Sequence, residues 1–498
     1  MEGTESFEKL ERPAVEHGRL EYKWMALGVT TIGSLMAAVD GTIVILGLPQ
    51  MMVKLQAGLV EMIWVIMGYI LISTVFLLTF GRVADMIGRV RMYNVGFVVF
   101  TVGSALCGLS ANAGQLIAFR LVQGSGAAML IVNSVAIVTE VFPPSERGRA
   151  LGINAVTWAI GGVLSPILGG LILTVADWRW IFYINVPIGL AGAVAAYRVL
   201  KETSTRTSGE KFDLIGAATF SLSLTSVLLA LTLGIEYSWT SAPIVLLFAA
   251  FVIFLVAFFW WEQRAPNPVL DLSLFRNRVY NFSVLAAMMA ALALFAVNFL
   301  VVFYLQAVRG YDPLKAAVLL IPLPVFTAIL APASGWIADR IGARVPATLG
   351  LLIQATALLW FLGLTPDTSY LQLALGLALM GVGGGLFYSP NTSAAMNSAP
   401  VHRLGVASAT LATLRQAGMV TSFAIALAVA AGSLPREIMM QLFVGTSITL
   451  GSQIMQTFVL GMHNAFVVSF VMCLAAAGFS LVRGKEVRRV QHTTEMAH

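Results

Sequence analysis

Two charged residues stand where charge is expensive. Asp40 lies in Ala38-Val39-Asp40-Gly41-Thr42-Ile43-Val44 and Arg120 in Arg120-Leu121-Val122-Gln123-Gly124-Ser125-Gly126, each within an otherwise apolar run. A carboxylate in hydrocarbon costs about 3 kcal/mol even on lenient insertion scales. Asp40 must therefore face water or a partner. A carboxyl group stripped of water favours its neutral form, so such a residue can take up a proton on one side of a membrane and release it on the other. The competing reading is an aspartate that only caps a broken helix or pairs permanently with an arginine. A guanidinium stays charged at any relevant pH, and at about 1.5 Å per residue Asp40 and Arg120 lie about 13 and about 8 Å below the same end of their runs. Contact is feasible, although Arg120 is also shallow enough to snorkel. Arg415, in Leu414-Arg415-Gln416-Ala417-Gly418, sits about 15 Å into a third run. Its options are a cavity or a backbone carbonyl.

A second group of residues repeats. Gly81-Arg82-Val83-Ala84-Asp85-Met86-Ile87-Gly88-Arg89-Val90-Arg91 and Gly335-Trp336-Ile337-Ala338-Asp339-Arg340-Ile341-Gly342-Ala343-Arg344 share the order Gly, three residues, Asp, two residues, Gly, then basic residues, 254 positions apart. Both fall between apolar runs, at a membrane surface, so they read as a conformational gate rather than a catalytic site. Asp85 is expected to favour the N-terminus of the helix that follows it, and Arg89 or Arg91 to pair with acidic groups of the opposite half. A plain anchoring role for the arginines is the alternative.

The elements that hold these residues follow from composition. With 58% hydrophobic and 11% charged side chains over 498 residues, against about 45–50% and about 25% in soluble domains, and a mean hydropathy of +0.86, this is an integral membrane protein. A helix crosses the hydrocarbon core with about 20 apolar residues, and fourteen such segments are readable between 24 and 482. Of the 30 basic residues, 23 fall on one side of that arrangement and 5 on the other (Lys54, Arg179, Arg309, Lys315, Arg436). The excess marks the cytoplasmic side, so both termini are expected there. The repeat divides the chain into a tail 1–23, a six-helix bundle 24–200, an inserted helix pair with polar linkers 201–279, a second bundle 280–482 and a tail 483–498. The stretch 433–456 is apolar enough to be re-entrant. Parallel six-helix repeats are one way to build a transporter, with the substrate site between the halves.

The loop at 81–91 resembles the signature loop of the major facilitator superfamily, and its position between spans 2 and 3 fits. Ala38 to Val44, closing at Leu48-Pro49, is similar to the span 1 motif of the fourteen-span drug:proton antiporter branch, and Arg120 to Gly126 resembles its span 4 motif. Gly152, Gly161, Ser165-Pro166 and Gly169-Gly170 match the spacing of its span 5 antiporter motif, and Trp178 to Gly189 looks like the junction into span 6. Ile45 stands where the branch usually has Asn, and Ser165 where it usually has Gly. The resemblance implies a major facilitator fold of fourteen transmembrane helices and a proton-coupled antiporter exporting hydrophobic or cationic drug-like compounds by alternating access. It implies roles for Asp40, Arg120 and Arg415 in proton coupling or substrate binding, and a cell-membrane location. A carrier for one metabolite, lipid or peptide is the alternative within the same fold.

In span 5 the glycines allow close helix approach and Pro166 a bend, which can seal a leak path against the other half or serve packing alone. Met36, Met67, Met129, Phe295, Phe299, Phe303, Tyr304, Phe387 and Tyr388 offer adaptable or aromatic surface for a large amphipathic ligand, although packing explains each singly. Other classes lack their residues. An enzyme needs a catalytic cluster, and only His463 among the five histidines lies within a span, with no His-Glu-x-x-His. Cys107 and Cys473 form neither a disulfide framework nor a zinc site, and Gly381-Val382-Gly383-Gly384-Gly385 has no strand before it and no Lys-Ser/Thr after it to make a phosphate loop. The expected partners are the small-molecule substrate, protons and the bilayer, with no cofactor, metal or nucleic acid and a functional monomer.

Overall fold

In lipid the backbone must satisfy its own polar groups, which leaves helices or a closed barrel, and long unbroken apolar runs select helices. The computed structural model describes residues 5–202, 213–266, 268–270, 272–311, 313–433 and 452–484, and among these there is no strand. The helices are α1 (Glu5–Leu55), α2 (Leu59–Ile87), α3 (Arg89–Leu109), α4 (Ala113–Val141), α5 (Arg147–Val175), α6 (Trp180–Tyr183), α7 (Asn185–Val199), α8 (Leu214–Tyr237), α9 (Ala242–Glu262), α10 (Arg278–Phe303), α11 (Pro313–Leu319), α12 (Pro322–Ile341), α13 (Arg344–Phe361), α14 (Tyr370–Ser398), α15 (Leu404–Ser433) and α16 (Ser452–Val482). Among the described residues, eleven helices are long and apolar enough to cross a membrane. Long helices α10, α12 and α15 stand where the sequence places spans 9, 10 and 13. The stretch 434–451, including Arg436, and the tail from 485 lie outside the described residues.

The molecule is all-α and built as two bundles. α1–α5 with α7 pack together, α10 with α12–α16 pack together, and the pair α8–α9 leans on α2 and α15. α9 buries only Ile244, Phe258 and Glu262, as a helix facing lipid does. Glu262 turns inward and accepts the backbone N–H groups of Val269 and Leu270 at 3.1 and 3.3 Å, which fixes the start of the linker. α1 is continuous from Glu5 into its apolar run.

At one end of the molecule, which carries the α2–α3 and α12–α13 turns and is called here the repeat end, the two bundles share a core. Leu77 and Leu78 of α2 and Ala128, Val132 and Ala136 of α4 cluster with Ala395 and Met396 of α14 and Leu404 to Ala412 of α15. Both turns rest on glycine with positive φ, +115° at Gly88 and +94° at Gly342, a backbone region that side chains disfavour. The second glycine of each repeat copy is thereby explained.

Candidate functional site

Asp40 is fully buried, and its partners all come from its own half. Arg120 Nη1 donates to Asp40 Oδ2 at 2.6 Å, while Gln123 Nε2 and Asn185 Nδ2 donate to Oδ1 at 2.8 and 2.9 Å. Arg120 also donates through Nη1 to Gln123 Oε1 at 2.9 Å and through Nε to the Val65 carbonyl at 3.1 Å, and its guanidinium carbon lies 4.0 Å from the Tyr69 ring centroid. Asn185 reaches Ser104 at 3.1 Å, and Ser104 donates to the Phe182 carbonyl at 2.9 Å. One carboxylate thus ties together α1, α2, α3, α4 and α7. Oδ1 already takes two donors, so a proton is best seated on Oδ2, which accepts only from Arg120; there it removes the charge that holds the guanidinium. Protonation and the present packing of α1 are therefore linked.

The sequence brings Asp40 and Arg120 together correctly and misses Gln123, Asn185 and Ser104. Gln123 had a signal, since it follows Arg120 by three positions and so shares its helix face. Asn185 had a weaker one, a lone amide at the head of an apolar run.

The repeat loops form two reciprocal clamps. Asp85 accepts the N–H groups of Gly405 and Val406 at 3.0 and 2.9 Å, at the N-terminus of α15 in the other half. Asp339 accepts those of Gly148 and Arg149 at 3.0 and 3.1 Å, at the N-terminus of α5. Helix N-termini present unpaired N–H groups and positive potential to such anions. The expectation that Asp85 serves its own following helix is corrected, because α3 is taken by Glu202, which accepts Arg89 N and Arg91 N at 3.0 and 3.1 Å.

Among the described residues Arg89 has no acidic partner across the halves either. It pairs with Asp85 and Glu140 at 2.9 and 2.7 Å within its own half and reaches across only to the Val401 carbonyl at 2.8 Å. Spacing sets which surface a loop occupies, whereas the nearest helix end across the interface is a tertiary fact. Arg82 is buried, within electrostatic reach of Glu262, and Arg344 opens α13. The first glycines close the interface: a Cβ on Gly81 would lie 2.7 Å from the Gly405 carbonyl oxygen, and one on Gly335 would fall on the Gly148 carbonyl.

The described members of the span 5 motif face both ways. A Cβ on Gly152 would meet the Ala331 carbonyl of α12 at 2.6 Å, whereas Gly161 abuts Ala38 and Gly169 abuts Leu46 and Ile43, all in α1. Ser165 donates to the Val39 carbonyl at 3.3 Å, one residue from Asp40. Gly170 is half-buried, and the Pro166 side chain lies outside the described residues. α5 thus packs on both sides, against α1 through Gly161, Ser165 and Gly169 and against α12 and α14 of the other half.

At the opposite end Asp177 pairs with Lys54, and with Arg179 at 3.3 Å. Burial pushes the Asp177 carboxyl up, but the Lys54 hydrogen bond and the Arg179 N–H groups outweigh it and hold the group below its ordinary 3.8. A lowered folded value gives stability that is present above the ordinary carboxylate range and lost as pH falls through the folded value. The pair is largely exposed, so Asp177→Asn is expected to lower stability by at most about 1 kcal/mol at pH 7. The gap should close in acid, in melts read by intrinsic tryptophan fluorescence; a gap that persists there would refute the assignment.

Arg415 and Tyr388 are half-buried, unlike most of the expected ligand surface. Phe303, Tyr304 and Phe387 are packed into the core of the second half, Met36, Met67 and Met129 are buried, and the side chains of Phe295 and Phe299 lie outside the described residues. Aromatic residues in a span serve packing unless a cavity reaches them, and sequence alone does not locate the cavity.

Two bundles with matching repeat loops clamped together at one end and an ion-paired hub inside the first are consistent with a membrane carrier. The Major Facilitator Superfamily profile matches residues 30–219 and again 214–423, and the chain belongs to that family. It is 34% identical to "Multidrug resistance protein Stp" of Mycobacterium tuberculosis (strain CDC 1551 / Oshkosh) over 80% of this chain and 74% of that one. It is 30% identical to "Riboflavin transporter RibZ" of Clostridioides difficile (strain 630) over 80% and 86%. The solved structure of the proton:xylose symporter XylE superposes with a TM-score of 0.63 over 93% of this chain and 95% of that one at 12% identity, a likeness of fold. The protein is thus a multi-pass membrane transporter of small molecules and not an enzyme.

Proposed function

We propose that this transporter is a proton-coupled antiporter of fourteen spans that exports hydrophobic or cationic drug-like compounds by alternating access. The repeat end and both termini lie in the cytoplasm of the cell that carries it in its membrane, and the monomer is the working unit. Residues 24–200 and 280–482 are the rocking halves, and 201–279 an inserted pair. The observation that carries the reading is the Asp40 hub: a fully buried carboxylate whose ion pair with Arg120 a proton would neutralise. The relative named for multidrug resistance supports the substrate class, while the relative named as a riboflavin transporter favours the narrower alternative, a carrier for one metabolite, lipid or peptide.

Coupling runs through packed helices. Protonating Asp40 weakens the hold of Arg120, Gln123 and Asn185 on α1. α1 in turn packs against α5 at Gly161, Ser165 and Gly169, and the first turns of α5 form a clamp with α12. Loosening at Asp40 therefore reaches the gate along one helix pair, and the two arrangements of that pair are the bistable element such coupling requires.

The test is reconstitution in liposomes with an imposed inward proton gradient and a panel of fluorescent hydrophobic probes. Wild type is expected to drive probe transport uphill, and Asp40→Asn to lose about tenfold or more of that rate, the size of a coupling interaction of about 1.4 kcal/mol. Downhill exchange in Asp40→Asn should persist. Uphill transport at the wild-type rate in Asp40→Asn would place the proton elsewhere and end this mechanism.

A further inference from the structure

Arg415 is the charge that the coupling scheme leaves over. It lies in the middle of α15, eleven residues from the first residue, Leu404, and so about 16 Å from the repeat end. Among the described residues it makes no ion pair and no hydrogen bond, although the other deep arginine, Arg120, has both. Its direction follows from helix geometry. Ser408 donates to the Val132 carbonyl of α4 at 2.9 Å, so that face of α15 looks toward the first half. Seven residues are nearly two turns, which puts Arg415 on the same face one level farther from the closed end. The neighbouring faces are taken, Gly418 by Met288 of α10 and Ala417 and Val420 by α2 and α8. Tyr388 of α14, ten residues from that helix's repeat-end terminus at Ser398, is at the same depth and within electrostatic range of Arg415. Both side chains keep partial exposure while so deep.

Asp40, the carboxylate set deep in the spans, is consumed by its own donors in the first half. The face of α15 turned toward the first half thus carries a fixed positive charge within electrostatic range of Tyr388, and a charge left without a partner away from bulk water is costly until something matches it. We propose that Arg415 and Tyr388 form the acid-binding end of the substrate site, so that the preferred substrate is a hydrophobic organic anion with a carboxylate, or an equivalent oxyanion, on an aromatic or polycyclic body. The guanidinium holds the oxyanion through paired N–H donors, and the Tyr388 ring and hydroxyl meet the adjoining body. This rests on the export reading above and replaces its cationic option.

The experiment uses three pyrene probes that share one fluorophore: a butyrate, the matching neutral butyramide and a quaternary ammonium. Binding to the full-length protein in lipid nanodiscs is measured by fluorescence polarisation against empty nanodiscs. The butyrate is expected to bind about tenfold or more tightly than the amide, and the cation most weakly. Arg415→Gln should bring acid and amide within about twofold while amide binding holds, and Arg415→Lys should keep part of the preference. Tyr388→Phe should weaken both acid and amide a few-fold.

Equal acid and amide affinities in wild type, tightest binding of the cation, or an acid preference surviving Arg415→Gln would each overturn the proposal. If Arg415→Gln does not fold, the wild-type charge series and Arg415→Lys decide it. A separate arm measures uphill transport of the butyrate in liposomes. Acid-selective binding without gradient-driven transport would refute the antiport reading and leave the anion site standing.

Discussion

Arg120→Ala is expected to destabilise the protein by about 3–5 kcal/mol, the range found when one partner of a buried ion pair is removed. The loss is this large because Asp40 and Arg120 are 0% and 1% exposed. The orphaned carboxylate would keep only the amides of Gln123 and Asn185, and the Tyr69 ring would lose the cation stacked on it. Asp40→Asn combined with Arg120→Gln removes both charges and keeps polar contacts. It should recover most of the stability, as replacing a whole buried pair often does. Uphill transport would remain lost in the double variant, which separates holding the fold from moving the proton. Thermal melts of wild type, Asp40→Asn, Arg120→Gln and the double variant form a double-mutant cycle that gives the pair's interaction energy. An Arg120→Ala protein as stable as wild type would show that Asp40 is hydrated or neutral in this state, contrary to the geometry described.

The second large effect falls on the gate. A single methyl at Gly335 would occupy the position of the Gly148 carbonyl and come within 2.7 Å of Ser389 Oγ, and the obstacle is backbone that has no rotamer to escape into. α12 and α5 must separate at that end, which breaks the two N–H bonds to Asp339 and the 2.8 Å bond from Ser389 to the Gly148 carbonyl. Hydrogen bonds to charged groups are worth about 1.5–3 kcal/mol each. Gly335→Ala is therefore expected to shift the equilibrium toward the state open at the repeat end by about 100-fold or more. Spin labels at Arg149→Cys and Arg340→Cys would read the shift as a longer distance population. Gly162→Ala is the control, since a methyl there meets nothing within 4 Å. An unchanged distance distribution in Gly335→Ala would mean that the interface gives way without opening.

The sequence was most informative where chemistry is scarce. Asp40 and Arg120 were legible because a charge in an apolar run has few ways to exist, and depth along two helices was enough to pair them. The two halves were legible because a motif of three fixed residue types recurs in matching places. The partners across the interface were not. Asp85 was expected on the helix next in sequence, yet it caps a helix more than 300 residues away, and Glu202 takes the place assumed for it. Hydrogen-bonding capacity is a property of residue type, but proximity between halves comes from packing that local spacing does not encode. The same limit applies to Phe303, Tyr304 and Phe387, whose aromatic character suits a ligand site and whose helix faces turn into the core instead.

The clamps carry a consequence for the environment in which the gate works. Each pairs a carboxylate not with a mobile ammonium or guanidinium across the interface but with main-chain N–H groups at a helix start. Exposed ion pairs fade as salt rises, with a screening length of about 8 Å near 0.15 M. Asp85 is only 3% exposed and its partners across the interface are main-chain N–H groups, so dissolved ions have little room to intervene. The closed state should thus keep its strength while the osmotic and ionic composition around that end of the protein changes, and on the antiport reading proposed above the timing of the cycle is left to the proton and the substrate.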